Sequence, residues 1–202
     1  MKKQVVLIHG GCAYRSNDDY VQDLKTREID RDLFFTEREP RWKDLIQTRL
    51  GDGFEVAKPK MPSYENAKFE EWKIWFERLL PFLRDDVILI GHSLGAMFLA
   101  KYLSEHTLSI RIEKIFLVAP AIGADGLTGE DGGDFLPEPS KVHALTDRCT
   151  QVYLFHSEDD EIVPYSHAAK YMEAMPRAEF VSFTERGHFF QDDIPELIEY
   201  IK

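Results

Sequence analysis

Short apolar runs recur along this chain, and stretches of helical periodicity separate them. Residues 5–9, 54–58, 87–90, 115–119, 152–156 and 179–183 are mostly unbroken runs of Val, Ile, Leu and Phe. Strands buried on both faces of a sheet read this way, whereas half-exposed strands alternate. Between them, Phe69, Trp72, Phe76, Leu79, Leu80 and Leu83 recur at helical spacing, which predicts one amphipathic crossover helix over 69–83 with its aromatic side in the core. Residues 41–50 predict another helix. A third, over 165–175, is entered through Pro164 and ended near Pro176, and a last one over 195–201 has Pro in its first turn. Alternating strands and helices predict an α/β fold: a parallel sheet covered on both faces through right-handed crossovers.

Two segments break the alternation. Residues 14–40 are long and charge-rich with scattered apolar positions, and residues 122–141 are rich in Gly and Asp. Each follows the C-terminal end of a strand, where open α/β sheets place their ligands, so 14–40 is expected to be a lid or a pocket wall. The Gly/Asp segment matches no calcium-loop pattern.

At 202 residues the chain is expected to be one domain, and 44% hydrophobic residues with 14 Phe and 8 Tyr exclude disorder as its main state. A net charge of −11 argues against nucleic acid or an anionic membrane as partner. Cys12 and Cys149 form neither a disulfide framework nor a metal spacing, and are expected to be reduced thiols. The apolar run after Lys2-Lys3 is too short for a signal peptide, and no run has the length of a membrane span. These features together predict a soluble, cytoplasmic protein.

The chemistry concentrates around Gly91-His92-Ser93-Leu94-Gly95, where a buried strand runs into G-x-S-x-G and an apolar segment of helical length follows. In that order the pattern is a nucleophile elbow, a turn so sharp that its serine stands exposed. A serine hydroxyl also needs a base to take its proton and a third group to orient the base. Both follow strands further along the chain. His156-Ser157-Glu158-Asp159-Asp160-Glu161-Ile162-Val163-Pro164 supplies four carboxylates, and Arg186-Gly187-His188-Phe189 supplies an imidazole. Residue types alone leave Glu158, Asp159, Asp160 and Glu161 open as the acid.

Taken together, His9-Gly10 after the first strand, Gly91–Gly95, Asp160 with Val163-Pro164, and Gly187-His188 resemble the α/β-hydrolase fold serine hydrolases over essentially the whole chain. Residues 156–164 fit that superfamily's HG-x-x-D-x-x-VP acid loop, with Ser157 in place of glycine. Met61-Pro62-Ser63 and Glu71-Trp72 are similar to the small serine hydrolases of the YdeN and retinoblastoma-binding-protein-nine type. The resemblance implies a minimal six-stranded parallel sheet in the order 2-1-3-4-5-6, with Ser93 after the third strand. It also implies Ser93 as nucleophile, His188 as general base and then acid, Asp160 as orienting carboxylate, and an oxyanion hole from the backbone N–H groups of Gly11 and Leu94. No metal or organic cofactor is expected. The expected reaction is hydrolysis of a small acyl ester, amide or thioester through an acyl-enzyme, with acyl transfer on the same triad, or a protein-binding role for the fold, as alternatives. His9, His92 and His156 are expected to be structural hydrogen-bonding residues, and Cys12 to line the pocket.

Overall fold

Each apolar run divides its side chains between two cores, because successive residues of a strand point to opposite faces. In the computed structural model, which describes residues 1–127 and 131–202, Val6 and Ile8 enter one core, while Val5 and Leu7 enter the other. Six strands carry this division: β1 (Lys3–Ile8), β2 (Phe54–Ala57), β3 (Val87–His92), β4 (Ile112–Val118), β5 (Cys149–Ser157) and β6 (Glu179–Phe183). They form one parallel sheet in the order β2-β1-β3-β4-β5-β6, as predicted. The most deeply placed strand, β3, is buried along its whole length. With β1 and β4 on either side, its C-terminal end emerges at the middle of the sheet edge.

Nine helices among the described residues complete the fold: α1 (Asn17–Thr26), α2 (Asp32–Phe35), α3 (Trp42–Leu50), α4 (Phe69–Glu77), α5 (Leu94–Glu105), α6 (Pro139–Val142), α7 (Leu145–Arg148), α8 (Ser166–Ala174) and α9 (Pro195–Ile201). On one face, α4, α5 and α8 bury Trp72, Phe76, Phe98 and Tyr171. On the other, α3 and α9 bury Trp42, Ile46, Leu197 and Ile201. Full burial of one such side chain contributes about 1.5–3 kcal/mol. No helix among the described residues is long and apolar enough to cross a membrane.

The helix expected over 69–83 is shorter than its periodicity suggests. It ends at Glu77, and the chain passes into a 3₁₀ turn over Leu80–Phe82. Pro81 explains the break, since it lacks an N–H and its ring clashes with the preceding helical turn. Phe69, Trp72, Phe76 and Leu83 are still buried, so the inward face was read correctly even though the helix was not.

The two irregular segments have specific anchors. Within 14–40, α1 is capped by Ser16, whose Oγ accepts from the Asp19 N–H at 3.1 Å, and it buries none of its residues. In the Gly/Asp segment, whose residues 128–130 lie outside the described part, Asp134 accepts from the Phe69 N–H at 3.1 Å and so caps α4. Phe135 packs on the Trp72 ring at 5.0 Å.

Candidate active site

Ser93 sits between β3 and α5 with φ 55° and ψ −123°, a conformation L-residues avoid. Backbone bonds hold it there: its N–H donates to Val118 O at 2.8 Å, and its own carbonyl accepts from Ala96 at 2.9 Å. The turn passes against β1, where a Cβ on Gly95 would overlap the carbonyl oxygens of Ile8 and His9. Glycine is therefore required by close backbone approach at this position. The turn after β1 lies alongside. A Cβ on Gly10 would come 3.1 Å from the Ser93 Cβ, and one on Gly11 would meet Tyr64 O and approach Leu94 Cδ2 at 3.4 Å. Gly11 and Leu94, the two expected oxyanion donors, are thus neighbours. Cys12 follows, a cysteine of intermediate exposure outside any disulfide, whose N–H donates to Tyr64 O at 2.8 Å.

Asp160 and His188, from the loops after β5 and β6, meet in a nearly water-free contact, 8% and 6% exposed. His188 Nδ1 lies 2.8 Å from Asp160 Oδ2 and 3.1 Å from Oδ1. Oδ1 also accepts from the Ile162 and Val163 N–H groups, both at 2.9 Å. These amides satisfy the carboxylate where water cannot. With Nδ1–H donating to Asp160, the other ring nitrogen of His188 is left as an acceptor.

Asp159 has a different task. Its Oδ1 accepts from the Ser157 hydroxyl at 2.5 Å and from the Gly187 N–H at 2.8 Å, while Ser157 Oγ accepts from Arg186 N–H at 3.0 Å. The Ser157 and Gly187 donors hold its carboxyl below the usual carboxylate range. Asp159 and Ser157 tie the acid loop to the base loop. Ser157, the departure from the HG pattern, thereby supplies a hydroxyl that glycine could not.

The three expected structural histidines are all bonded. His9 Nε2 accepts from Met61 N–H at 2.9 Å, and His156 Nε2 donates to Val163 O at 2.9 Å. Burial lowers the pKa of both. His92 does more than fill space. Its Nδ1 accepts from the Lys43 ammonium at 3.0 Å, so Nε2 carries the proton and donates it to the His188 carbonyl at 2.8 Å. Burial first, then the Lys43 and His188 charges, push its pKa well below the ordinary value, which keeps it neutral. The residue before Ser93 thus grips the backbone of His188. Helix α3 adds two more holds on the same loop, Trp42 Nε1 to Phe189 O at 2.9 Å and Trp42 N to Gln191 O at 3.1 Å.

Lys43, Trp42 and the linking role of Asp159 were not foreseen. The only sequence signal was that Trp42 and Lys43 open a predicted helix beside the irregular segment.

Two cavities flank the site. One, of about 470 Å³, is lined by Tyr20 and residues 60–66, next to the Gly11 turn. The other, of about 540 Å³, is lined by residues 38–41, Leu45, Phe190 and Asp192. Phe190 links it to the site, because its ring stands edge-on to the His188 ring at 5.3 Å.

Comparison with known proteins bears on the family and the fold. Serine hydrolase RBBP9 of Rattus norvegicus is 26% identical over 156 residues, 74% of this chain and 77% of its own length. YdeN of Bacillus subtilis (strain 168), named as a hydrolase, is 24% identical over 195 residues, covering 96% of this chain and 89% of YdeN. The crystal structure of that ydeN gene product matches with a TM-score of 0.73 at 22% identity, over 99% of this chain and 97% of that one. The esterase domain of a Rhodothermus marinus protein shares the fold with a TM-score of 0.58 at 16% identity, over 98% and 82%. The serine hydrolase family model matches residues 35–194, a span that holds the elbow, the acid loop and the base loop together. This chain therefore belongs to the serine hydrolase family.

Proposed function

We propose that this serine hydrolase cleaves a small carboxylic ester through an acyl-enzyme, with Ser93 as nucleophile, His188 as base and Asp160 as the carboxylate that orients it. The observation that carries the reading is the double anchoring of His188. Its ring is fixed by Asp160 at 2.8 Å, and its backbone carbonyl is held by His92, the neighbour of Ser93, also at 2.8 Å. A base fixed at both ends needs little reorganisation when it acts.

In this mechanism Ser93 Oγ attacks the ester carbonyl carbon while its proton passes to His188 Nε2. The carbonyl electron pair moves to oxygen, and the N–H groups of Gly11 and Leu94 stabilise the resulting oxyanion, each worth about 3 kcal/mol. Collapse expels the alcohol, which takes the proton from His188. Water then attacks the acyl-enzyme, gives a proton to the same nitrogen, and releases the acid and free Ser93. Asp160 stays ionised and stabilises the imidazolium of each step. The cavity beside Gly11 suits the acyl group. Residues 14–40 would form part of its wall through Tyr20, which supports a pocket-wall role for that segment.

Acid quenching during turnover of 4-nitrophenyl acetate, followed by peptide mass spectrometry, tests the covalent step. An acetyl group on the peptide containing Ser93 is expected. Steady ester turnover with no acyl adduct under any quench would count against the mechanism.

A further inference from the structure

Arg38, Arg41 and Lys43 crowd within six residues at the start of α3, in a chain whose net charge is −11. Arg38 pairs with Asp44 at 2.8 Å, whose Oδ2 also accepts from the Arg41 N–H. Among the described residues, no carboxylate lies within ion-pair distance of Arg41 or Lys43. Lys58 adds a fourth cation, donating to the carbonyls of Lys43 and Asp44 at 3.2 and 3.1 Å. The crowding has a cost. Burial together with Arg41 and Arg38 pushes the Lys43 ammonium down to about 8, and burial together with Arg38 lowers Arg41. The four cations share the nearby carboxylate of Asp44, which favours the charged forms of Arg41 and Lys43 but less than burial and Arg38 oppose them. Like charges held this close create a positive field for an incoming anion.

The cluster borders the 540 Å³ cavity, and one ring connects it to the chemistry. The Arg41 guanidinium rests over Phe190 at 4.3 Å from its centroid, while His188 meets the same ring at 5.3 Å. Glu39 and Asp192 also line the cavity. His188 must hand its proton to the departing oxygen, so the leaving alcohol occupies the His188 side of the scissile bond.

We infer that this cavity takes the alcohol half of the substrate, and that this half carries an anionic group, a carboxylate or a phosphate, which Arg41 binds. The inference rests on the ester-hydrolase reading above and adds a substrate class to it. An anion here would give the Arg41 guanidinium a direct ion-pair partner, and a guanidinium can bind either oxyanion through two parallel bonds.

The test compares three acetyl esters, 4-acetoxybenzoate, 4-acetoxyphenyl phosphate and the neutral 4-acetoxybenzamide, as ratios of kcat/KM. Ratios cancel any general loss of activity in a variant. The wild type is expected to favour at least one anionic ester over the amide, and the anion preferred identifies carboxylate or phosphate. Arg41→Gln should lower that preference about tenfold, Arg41→Lys should retain part of it, and added salt should erode it. An unchanged ratio in Arg41→Gln, or a wild type that favours the amide, overturns the inference while leaving the hydrolase reading intact. Should none of the esters turn over, the hydrolase reading is what fails. Calorimetric binding of 4-hydroxybenzoate and 4-hydroxyphenyl phosphate against 4-hydroxybenzamide then decides. Anion binding lost in Arg41→Gln supports the site, and equal binding of all three by both proteins refutes it.

Discussion

Replacing Asp160 by asparagine changes one atom and should disable the base through its proton position. Asp160 Oδ1 accepts two backbone N–H groups, from Ile162 and Val163, each at 2.9 Å. An asparagine must keep its carbonyl oxygen there, because an amide NH₂ would set donor against donor and orphan both amides. Each orphan costs about 1–3 kcal/mol, hence roughly 2–6 kcal/mol for the pair. The NH₂ therefore falls where Oδ2 stood, 2.8 Å from His188 Nδ1. Nδ1 must then accept, the ring proton moves to Nε2, and the nitrogen that should take the Ser93 proton already holds one. A wrong tautomer of this kind lowers kcat by about 10⁴, roughly 5 kcal/mol of transition-state stabilisation. Initial rates on 4-nitrophenyl acetate, with circular dichroism to establish folding, measure it. A folded Asp160→Asn enzyme within tenfold of wild-type kcat would refute the reasoning.

The neighbouring carboxylate should rank far below it: Asp159→Asn weakens the Ser157 and Gly187 bonds, and should cost less than tenfold in kcat and lower Tm only slightly. A greater loss of kcat in Asp159→Asn than in Asp160→Asn would move the orienting role to Asp159. Trp42→Phe leaves the Phe189 carbonyl without its 2.9 Å partner, so it should lower thermal stability by about 1–3 kcal/mol and reduce kcat more than it raises KM. A wild-type Tm and kcat in that variant would show that α3 does not hold the base loop. Lys43 provides a pH test. Its folded pKa, about 8, lies below the ordinary value of 10.5, so the unfolded chain holds more protons between these pH values. Its destabilising effect is complete below pH 8 and fades as pH rises toward 10.5. The Tm of wild type relative to Lys43→Met should therefore rise across that window, and a flat or falling difference would contradict the burial of a charged Lys43.

The sheet was legible because its physics is local. A run such as Val87-Ile88-Leu89-Ile90 belongs between two cores wherever it occurs, and all six predicted strands are present with ends shifted by up to three residues. The helix over 69–83 shows the limit of periodicity, which sees Leu79, Leu80 and Leu83 in phase but does not register that Pro81 breaks the hydrogen-bond ladder. Helix α1 was invisible for the opposite reason, since it buries no residue and is held by its Ser16 cap and by the bonds of Asp23 to Tyr14 and Arg27. At the candidate site, Ser93, Asp160 and His188 could be proposed from the sequence because the motifs at strand ends resemble those of a known family. Lys43 and Trp42 could not, because they act through His92 and Phe189, 49 and 147 positions away, and nothing local marks such a contact.

The most direct measurement is intact-protein mass spectrometry after exposure to a fluorophosphonate, with peptide mapping, on the wild type and on Ser93→Ala. A single adduct at Ser93 in the wild type and none in the folded variant is expected, together with a fall in kcat on the order of 10⁶. An adduct that persists in Ser93→Ala, or a folded wild type that hydrolyses esters and stays unlabelled, would contradict Ser93 as the nucleophile.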